Sequence, residues 1–341
     1  MNQIRPDRTP KFDSIVENLE KHGYRFTHDE VSWEDPCLPI DVEWNYKDMT
    51  HVEFVHSGQW LKLWREFVYI GENTYTTLDL RNVFGLSVPQ STTFYSTKDN
   101  RLIAHTSLFF FVILVEVKFE ATGDFGTKTT TRHAIGAKNP IARLFIPLIN
   151  YATRKNWRQF TEDDLPLRRR RGELRKKGYS FLDQSPVDLR ETLQVGGMGV
   201  FPSDKAPDVS RFDVEVAKNM GETVKVGNDD HFGLQIGISD NEIKIFPRLC
   251  PHRGASLDYD YSLGRPPSNC HDSTITCAWH GRKFTPLCTI DNNSQPQIFD
   301  GPYHQCRYDG ETLAITVKQP PYEAGEHPAP DWSQRWQARE G

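Results

Sequence analysis

The sequence predicts an α+β chain with two domains, and three observations lead to this expectation. A length of 341 residues is enough for about two domains that each bury a core. Short strand patterns fill residues 67–134, and a long apolar-periodic helical pattern follows from Ile141 to Phe160. Beyond residue 211 only short strand patterns occur. We therefore expect a helix packed across a curved sheet in residues 1–178, and an all-β module in residues 212–319.

The predicted elements of the first domain begin with a short helix at Asp13–His22, which Gly23 closes. A brief strand at Val42–Trp44 and an irregular helix at Asn45–Val55 come next. Gly, Asn and Asp then separate four predicted strands: Tyr75–Leu80, Gln90–Tyr95, Leu102–Glu120 and Thr127–His133. Pro140 opens the long helix, in which Pro147 predicts an early kink.

The second domain follows a predicted linker or interface segment at residues 179–211. Its predicted strands are short: Phe212–Ala217, Glu222–Val226, Gly233–Ile238, Glu242–Pro247, Gln297–Ile298 and Thr312–Val317. Residues 320–341 are polar and proline-rich, which predicts an extended tail.

Charge and hydropathy exclude several function classes. The 41 basic and 46 acidic side chains give a net charge of -5, whereas nucleic acids and anionic membranes select a basic surface. The N-terminal segment Met1–Lys11 lacks the apolar core of a signal peptide. The longest apolar run, Leu108–Val115, is too short for a membrane span and predicts a strand buried on both faces. We expect a soluble, cytoplasmic protein.

The six cysteines are unevenly distributed, and this points to a metal site. Cys37 stands alone, while the other five lie between Cys250 and Cys306. In a reducing compartment, metal binding or catalysis is a better explanation of such a group than disulfides.

Two short segments in this region each offer one thiolate and one imidazole. The first segment is Cys250-Pro-His252 and the second is Cys277-Ala-Trp-His280, with 24 residues between His252 and Cys277. Two such loops, facing each other, supply the two sulfur and two nitrogen ligands of a Rieske [2Fe–2S] cluster. The alternative is a structural zinc site, but zinc sites usually pair Cys with Cys and His with His along the sequence.

The two segments resemble the cluster loops of Rieske domains in oxygenases, including the glycines Gly254 and Gly281, which suit close approach to cluster sulfurs. The spacer is longer than is usual in that family and contains Cys270 and His271, which we interpret as non-ligands. We interpret Cys288 and Cys306 as ordinary small core residues.

A second constellation lies in the first domain: Asn45, Asp48, His51 and His56. On a straight helix the two histidines would point about 140° apart, so both can face one metal only if the helix is broken or π-wound. The segment resembles the mononuclear-iron motif of Rieske non-heme iron oxygenases, especially the vanillate-demethylase-like and ketosteroid-hydroxylase-like groups. This resemblance implies that His51 and His56 bind Fe(II).

The same resemblance implies a carboxylate as third ligand, which completes a facial triad of two histidines and one carboxylate, on the last helix of a helix-grip (START-like) catalytic domain. Within Glu162-Asp163-Asp164 we choose Asp163, then Asp164, then Glu162. The alternative is that these residues form an acidic N-cap of a following helix.

The resemblance also implies that Asp48 connects a Rieske histidine of a neighbouring subunit to His51, and hence that the protein is a homotrimer. The domain order is inverted relative to the usual oxygenase, in which the Rieske domain comes first. We therefore expect Asp48 to serve electron transfer and not to bind the metal.

The basic run at Arg168–Arg171, continued by Arg175, Lys176 and Lys177, has two interpretations. It is either a solvated helix face or a docking patch for an acidic ferredoxin or reductase. No Gly-rich dinucleotide fingerprint occurs between a strand and a helix, so a separate NAD(P)H-dependent reductase or ferredoxin is expected to supply electrons.

These features predict an oxygenase, monooxygenase or dioxygenase, that oxidises a small organic substrate. We expect Phe94, Tyr95 and part of Leu108–Val115 to line the substrate cavity, which favours an apolar or aromatic substrate. One alternative is a Rieske electron-transfer protein fused to a ligand-binding domain without oxygenase activity. Another is a zinc-stabilised binding protein.

Overall fold

The computed structural model describes residues 11–48, 51, 55–56, 64–70, 74–83, 86–97, 101–176, 211–227, 233–250, 254–259, 265–293, 296–301 and 304–318. The predicted tail and nearly all of the predicted linker lie outside these ranges. The chain divides into two compact units, one of residues 1–172 and 183–193 and one of residues 173–182 and 194–341.

The first unit is built on a seven-stranded antiparallel sheet. Its strands are β1 (Arg25–Asp35), β2 (Trp64–Ile70), β3 (Thr74–Val83), β4 (Leu86–Thr97), β5 (Arg101–Leu108), β6 (Phe111–Ala121) and β7 (Thr127–Ala137). Their order in the sheet is β1-β7-β6-β5-β4-β3-β2. Its helices are α1 (Phe12–Lys21), α2 (Pro39–Lys47), α3 (Pro140–Arg143) and α4 (Ile146–Lys176). Strands β1 and β2 were not predicted, and the predicted strand at Val42–Trp44 is wrong because these residues belong to α2.

The two faces of the sheet pack against different helices. On the outer face, Phe12 and Val16 of α1 pack with Ile103, Leu114 and neighbouring side chains. On the inner face, α2 and α4 cover a cluster that contains Val115 and Val117 of β6, with Trp157 of α4 packed against it. A long helix across an antiparallel sheet is the predicted helix-grip arrangement, so this part of the fold prediction is confirmed.

The apolar run Leu108–Val115 is not a single strand, contrary to prediction. Strand β5 ends at Leu108 and β6 begins at Phe111, so the run contains a hairpin turn. Phe109 takes a positive φ of 51°, and the Phe109 and Phe110 side chains are 72% and 67% exposed. Burial within a strand therefore accounts for only part of this apolar run, because Phe109 and Phe110 lie in the exposed turn.

Helix α4 continues through the acidic segment and through Pro166 as one helix of 31 residues. The predicted acidic N-cap of a separate helix is therefore wrong, and Pro147 lies in the first turn of α4, where proline is tolerated. None of the helices among the described residues is long and apolar enough to cross a membrane.

Both interpretations of the basic run fail for three of the four arginines at 168–171. Arg168, Arg170 and Arg171 are 0%, 4% and 0% exposed, so they are neither a solvated face nor a docking patch. Arg171 Nε donates to Asp41 Oδ1 of α2 at 2.9 Å, and its guanidinium lies 3.9 Å from the centre of the Trp44 ring. Arg171 thus links α4 to α2 through buried contacts.

From residue 211 onwards, the described part of the second unit is all-β apart from one short 3-10 helix at Ala217–Asn219, and residues 173–176 of this unit are the end of α4. The strands are β8 (Arg211–Glu215), β9 (Thr223–Val226), β10 (Leu234–Ile238), β11 (Glu242–Pro247), β12 (Ile275–Thr276), β13 (Lys283–Phe284), β14 (Cys288–Asp291), β15 (Gln297–Asp300), β16 (His304–Tyr308) and β17 (Thr312–Val317). One four-stranded sheet has the order β14-β11-β10-β9, another the order β15-β16-β17-β8, and β12 pairs with β13. A buried apolar cluster with members on both four-stranded sheets forms the core.

The buried ion pair between Arg171 and Asp41 predicts a large and local stability effect. Arg171→Met should lower the free energy of unfolding by about 3–5 kcal/mol, because it leaves the carboxylate of Asp41 buried without its charged partner. Arg169→Met, the same change at an exposed position of α4, should alter it by less than about 0.5 kcal/mol. Urea unfolding of both variants checks this prediction, and equal effects would contradict it.

Candidate functional site

Two histidines and one carboxylate of the first unit converge in its interior. His51 and His56 of the segment after α2 meet Asp164 of α4, and one ligand atom from each lies within 4.8 Å of the others. Asp164 Oδ1 is 3.1 Å from His51 Nε2 and 3.2 Å from His56 Nε2. The exposed fractions of the three residues are 2%, 4% and 7%, in chain order. These three side chains form a buried group, which we call the histidine–carboxylate group.

The chain reaches this arrangement because α2 ends before the histidines. Lys47 is the last residue of α2, and Asp48 has φ −77° and ψ 72°, which is not helical. His51 lies in a 3-10 turn and His56 in a turn, so the two histidines do not share one straight α-helix, in agreement with the break that their spacing requires. Their ring centres are 5.6 Å apart.

The structure places Asp164, rather than Asp163, in the three-residue group. Asp163 lies on the other side of His56, where its Oδ2 is 3.1 Å from His56 Nδ1. Its other oxygen accepts a hydrogen bond from Gln159 Nε2 at 3.0 Å, one turn earlier on α4. The two adjacent aspartates thus contact the two different nitrogens of one imidazole.

A buried arginine supports Asp164, and the sequence interpretation missed it. Arg168, one turn further along α4, donates to Asp164 Oδ2 at 3.4 Å, to Asn45 Oδ1 at 2.7 Å and to Asp35 Oδ1 at 3.0 Å. Its exposure is 0%, and its guanidinium lies 4.9 Å from the centre of the Tyr46 ring. A basic run gives no sign in sequence of which arginine turns inward; only the i, i+4 spacing from Asp164 could have indicated this pair.

The electrostatics of the group favour a cation. Burial by itself lowers the pKa of His56, but Asp164 and Asp163 outweigh it and raise the pKa to about 9. Burial would raise the pKa of Asp164, yet His56 and His51 hold it well below its usual range. With neutral imidazoles, the described residues of this group place three carboxylates, those of Asp35, Asp163 and Asp164, around the one guanidinium of Arg168, which leaves an excess of negative charge.

The inner face of the sheet carries buried polar groups as well as apolar ones. Gln90 Nε2 donates to Thr92 and Thr106 at 3.3 and 3.4 Å, and the two threonine hydroxyls are 2.9 Å apart. The hydroxyls of Thr77 and Thr131 are buried and have no hydrogen-bond partner among the described residues.

Phe94, predicted to line a cavity, stacks on Tyr75 with 4.5 Å between ring centres. It pairs across the sheet with Ala104, which in turn pairs with Val115 of the inner cluster, so Phe94 lies on the inner face. Tyr95 instead packs with the α1 cluster on the outer face, so its predicted place in a cavity is wrong.

In the second unit, the two predicted cluster loops have matching backbone hydrogen bonds. Cys250 N–H donates to Ala255 O and Cys277 N–H to Arg282 O, each at 2.7 Å. The N–H of the glycine four residues after each cysteine returns to that cysteine's carbonyl, at 3.0 Å from Gly254 and 2.9 Å from Gly281. Both glycines have positive φ, 79° and 62°, which other residues rarely adopt. The described residues of the two loops therefore share one hydrogen-bond pattern and one glycine conformation.

These loops bury the expected sulfur ligands together. Cys250 and Cys277 are each 0% exposed, and His280 is 2% exposed. Burial, and then a hydrogen bond with the Cys250 thiol, raises the pKa of Cys277 well above its ordinary value. His252, the fourth expected ligand, lies outside the described residues.

The spacer residues Cys270 and His271 have structural contacts. Cys270 Sγ is 3.1 Å from Thr223 Oγ1 of β9, and the His271 carbonyl accepts a hydrogen bond from Lys244 Nζ at 2.8 Å. The spacer passes so close to β10 that a Cβ at Gly237 would lie 2.5 Å from the Cys270 carbonyl oxygen. These contacts account for both residues without a role at the cluster.

Comparison with protein families identifies this part of the chain. Residues 200–299 match the model of the Rieske [2Fe–2S] domain. Such domains hold a [2Fe–2S] cluster on two cysteines and two histidines, and the donor set and the paired loops fit that cluster. The second unit therefore carries a Rieske domain, which implies electron transfer. No curated protein sequence matches the chain.

Solved structures similar to this chain cover its first part. TTHA0849 of Thermus thermophilus is 15% identical, with a TM-score of 0.34, over 44% of this chain and 99% of its own. The Zhui aromatase/cyclase of Streptomyces sp. R1128 is 10% identical, with a TM-score of 0.36, over 45% and 96%. A START superfamily protein of Mycobacterium smegmatis is 11% identical, with a TM-score of 0.30, over 44% and 97%. At this identity and these TM-scores, the likeness indicates no ligand or activity.

The loop contacts predict which cysteine the cluster needs. Cys277→Ser should lose the visible absorption of the cluster together with about two irons and two sulfides per chain, because a ligand is removed. Cys270→Ser should keep the absorption, the iron and the sulfide, since this buried thiol contacts Thr223 of β9 and is not an expected ligand. Iron and sulfide assays on purified protein check both variants. Loss of the cluster in Cys270→Ser would mean that the ligand register has been assigned wrongly.

Proposed function

We propose that the chain is a Rieske-type oxygenase component, a monooxygenase or dioxygenase. It uses O₂ and electrons from a separate NAD(P)H-dependent reductase or ferredoxin to hydroxylate, demethylate or otherwise oxidise a small organic substrate. The observation that carries this proposal is the buried group of His51, His56 and Asp164 on the same chain as a Rieske domain.

The donor set of this group suits mononuclear Fe(II). Cis ligands of a first-row metal with bonds of about 2.1 Å lie about 3 Å apart. The distances from Asp164 Oδ1 to the two histidine Nε2 atoms, 3.1 and 3.2 Å, are close to this value. A divalent cation would also balance the net negative charge of the surrounding carboxylates. When bound, Fe(II) supplies the site at which O₂ is activated, since a facial triad leaves coordination positions open.

Asp164 and Asp163 take different roles in this proposal. Asp164 is the third ligand in place of Asp163, because its Oδ1 faces both Nε2 atoms. Asp163 accepts the Nδ1 proton of His56 and so fixes the tautomer that presents Nε2 as a donor to the metal. Arg168 holds Asp164 in place through a hydrogen bond to its other oxygen. The three side chains occupy one stretch of α4, which makes the helix the rigid support of the site.

Electron delivery is the part of the proposal that rests on family resemblance. Cys250, His252, Cys277 and His280 would hold the cluster, and Asp48 would connect a Rieske histidine of a neighbouring subunit to His51. Asp48 lies three residues before His51 but is 1% exposed in the single chain, so contact with a neighbouring subunit requires that Asp48 become exposed. A homotrimer in the cytoplasm is the corresponding assembly.

The inner face refines the expected substrate. Apolar side chains such as Phe94 and Val115 lie beside buried hydroxyls, of which those of Thr77 and Thr131 have no partner among the described residues. A hydrocarbon would leave such hydroxyls unsatisfied, whereas a substrate with a hydroxyl, carbonyl or carboxyl group would bond to them. We therefore propose an apolar or aromatic substrate that carries a hydrogen-bonding group.

The assignment of the third ligand predicts different iron contents for two neighbouring variants. Asp164→Asn should lose the mononuclear iron, about one iron per chain, because it removes a charged ligand. Asp163→Asn should still load at saturating Fe(II), with affinity lowered about 10- to 100-fold, since only the partner of His56 Nδ1 changes. Fe(II) titration of each variant, with cluster absorption as the folding control, measures this. The opposite order would assign Asp163 as ligand.

The oxygenase proposal can be tested before a substrate is known. Nitric oxide added to the reduced protein should give the electron paramagnetic resonance signal of a high-spin ferrous nitrosyl, because the site has open positions. His51→Ala should abolish this signal and O₂ consumption but retain the cluster spectrum, whereas His22→Ala, at an exposed position, should change neither. A natural chain with a reducible cluster and no nitrosyl signal would instead be an electron-transfer protein.

A further inference from the structure

A second buried group of metal-ligand residues lies in the second unit, apart from the cluster loops. Cys288, His304 and Cys306 each offer a ligand atom, and these atoms lie within 4.8 Å of one another. Sequence interpretation treated the two cysteines as ordinary core residues and passed over the histidine. His304 and Cys306 also lie beyond residue 299, where the match to the Rieske domain ends.

The group joins two sheets. Cys288 begins β14, an edge strand of one four-stranded sheet, and His304 and Cys306 belong to β16 of the other. Alternation along β16 buries His304, Cys306 and Tyr308 on one face. Cys288 and Cys306 both belong to the apolar core of this unit. A ligand shared by the three residues would therefore connect both layers through the core.

His304 is an unexplained polar group in this core. It is 2% exposed, and neither Nδ1 nor Nε2 has a hydrogen-bond partner among the described residues. The Phe299 ring stacks against the imidazole, with 5.2 Å between ring centres, and offers it no acceptor. A buried polar group left unpaired costs about 1–3 kcal/mol, and a metal on one ring nitrogen removes that cost.

The ligand types and distances select zinc. Tetrahedral Zn²⁺, with Zn–S of about 2.3 Å and Zn–N of about 2.0 Å, places its ligand atoms between about 3.5 and 3.8 Å apart. The three ligand atoms lie within 4.8 Å of one another, so small side-chain shifts are enough to reach this geometry. Two thiolates neutralise Zn²⁺, so the core gains no net charge, and thiolate and imidazole ligands suit this ion.

We propose that Cys288, His304 and Cys306 bind one Zn²⁺, which fastens the two four-stranded sheets of the second unit together. Three protein ligands leave the fourth position for a water molecule or another small ligand, as in other zinc sites built from two cysteines and one histidine. The role of this ion is structural: it stabilises the unit that carries the cluster loops.

Metal analysis of the purified full chain tests this site. After equilibration with buffered Zn²⁺, which the histidine–carboxylate group can also bind, mass spectrometry should find about one zinc per chain more in the natural protein and in Cys270→Ser than in Cys306→Ser and His304→Phe. The last two variants should keep the visible absorption of the cluster. An equal zinc content in all four proteins, or iron in place of zinc at this site, would overturn the proposal.

A measurement on the natural chain alone covers the case in which the variants do not fold. A strong chelator should expose Cys288 and Cys306 to alkylation, and added Zn²⁺ should protect them again, as peptide mass spectrometry can follow. Cys270, buried in the same unit, is the internal reference. A disulfide between Cys288 and Cys306 in freshly purified protein, or no zinc uptake at saturating Zn²⁺, would refute the zinc site.

Discussion

The N-terminal site depends on one carboxylate. Asp164 directs one oxygen at the Nε2 atoms of both histidines and the other at the buried guanidinium of Arg168. Arg168 in turn bonds Asp35 at the end of β1 and Asn45 of α2. Helix α4, the sheet edge and the segment after α2 are thus held to one another through this side chain. A buried carboxylate with so many charged neighbours is stable only when all of them are present.

The cluster loops of the Rieske domain depend on backbone conformation rather than on buried charged side chains. Paired glycines with positive φ allow the same hydrogen-bond pattern to form in both loops, which bury two thiols. Such a site needs little support from distant side chains. The contrast explains why short motifs identify the cluster loops, whereas the carboxylate of the histidine–carboxylate group can be chosen only in three dimensions.

The sequence predicted a good part of this architecture and less of its detail. Periodicity located most strands and the two domains, because alternation and helical spacing are local properties. It failed for α2, where Val42 and Trp44 resemble a strand but a proline at the helix start and burial against β6 decide otherwise. It also failed for the arginines of α4, since a run of charges does not indicate which members find buried partners.

The candidate sites divide in the same way. The spacing of Cys250, His252, Cys277 and His280 was sufficient to predict a Rieske cluster. The choice between Asp163 and Asp164 depends on the rotation of α4 relative to the histidines, which adjacent residues in a sequence cannot reveal. His304 carried no local signal at all, because its partners come from another strand and from a neighbouring position that looked apolar.

The central claim is that one chain holds a Rieske cluster and a separate mononuclear iron. Mössbauer spectroscopy of protein loaded with iron-57 measures both together, because the cluster irons and a high-spin ferrous ion with nitrogen and oxygen ligands give distinct signals. The account predicts about three irons and two sulfides per chain, with about one third of the iron signal in the mononuclear ferrous component. A spectrum that contains only cluster iron, in protein saturated with Fe(II), would contradict it.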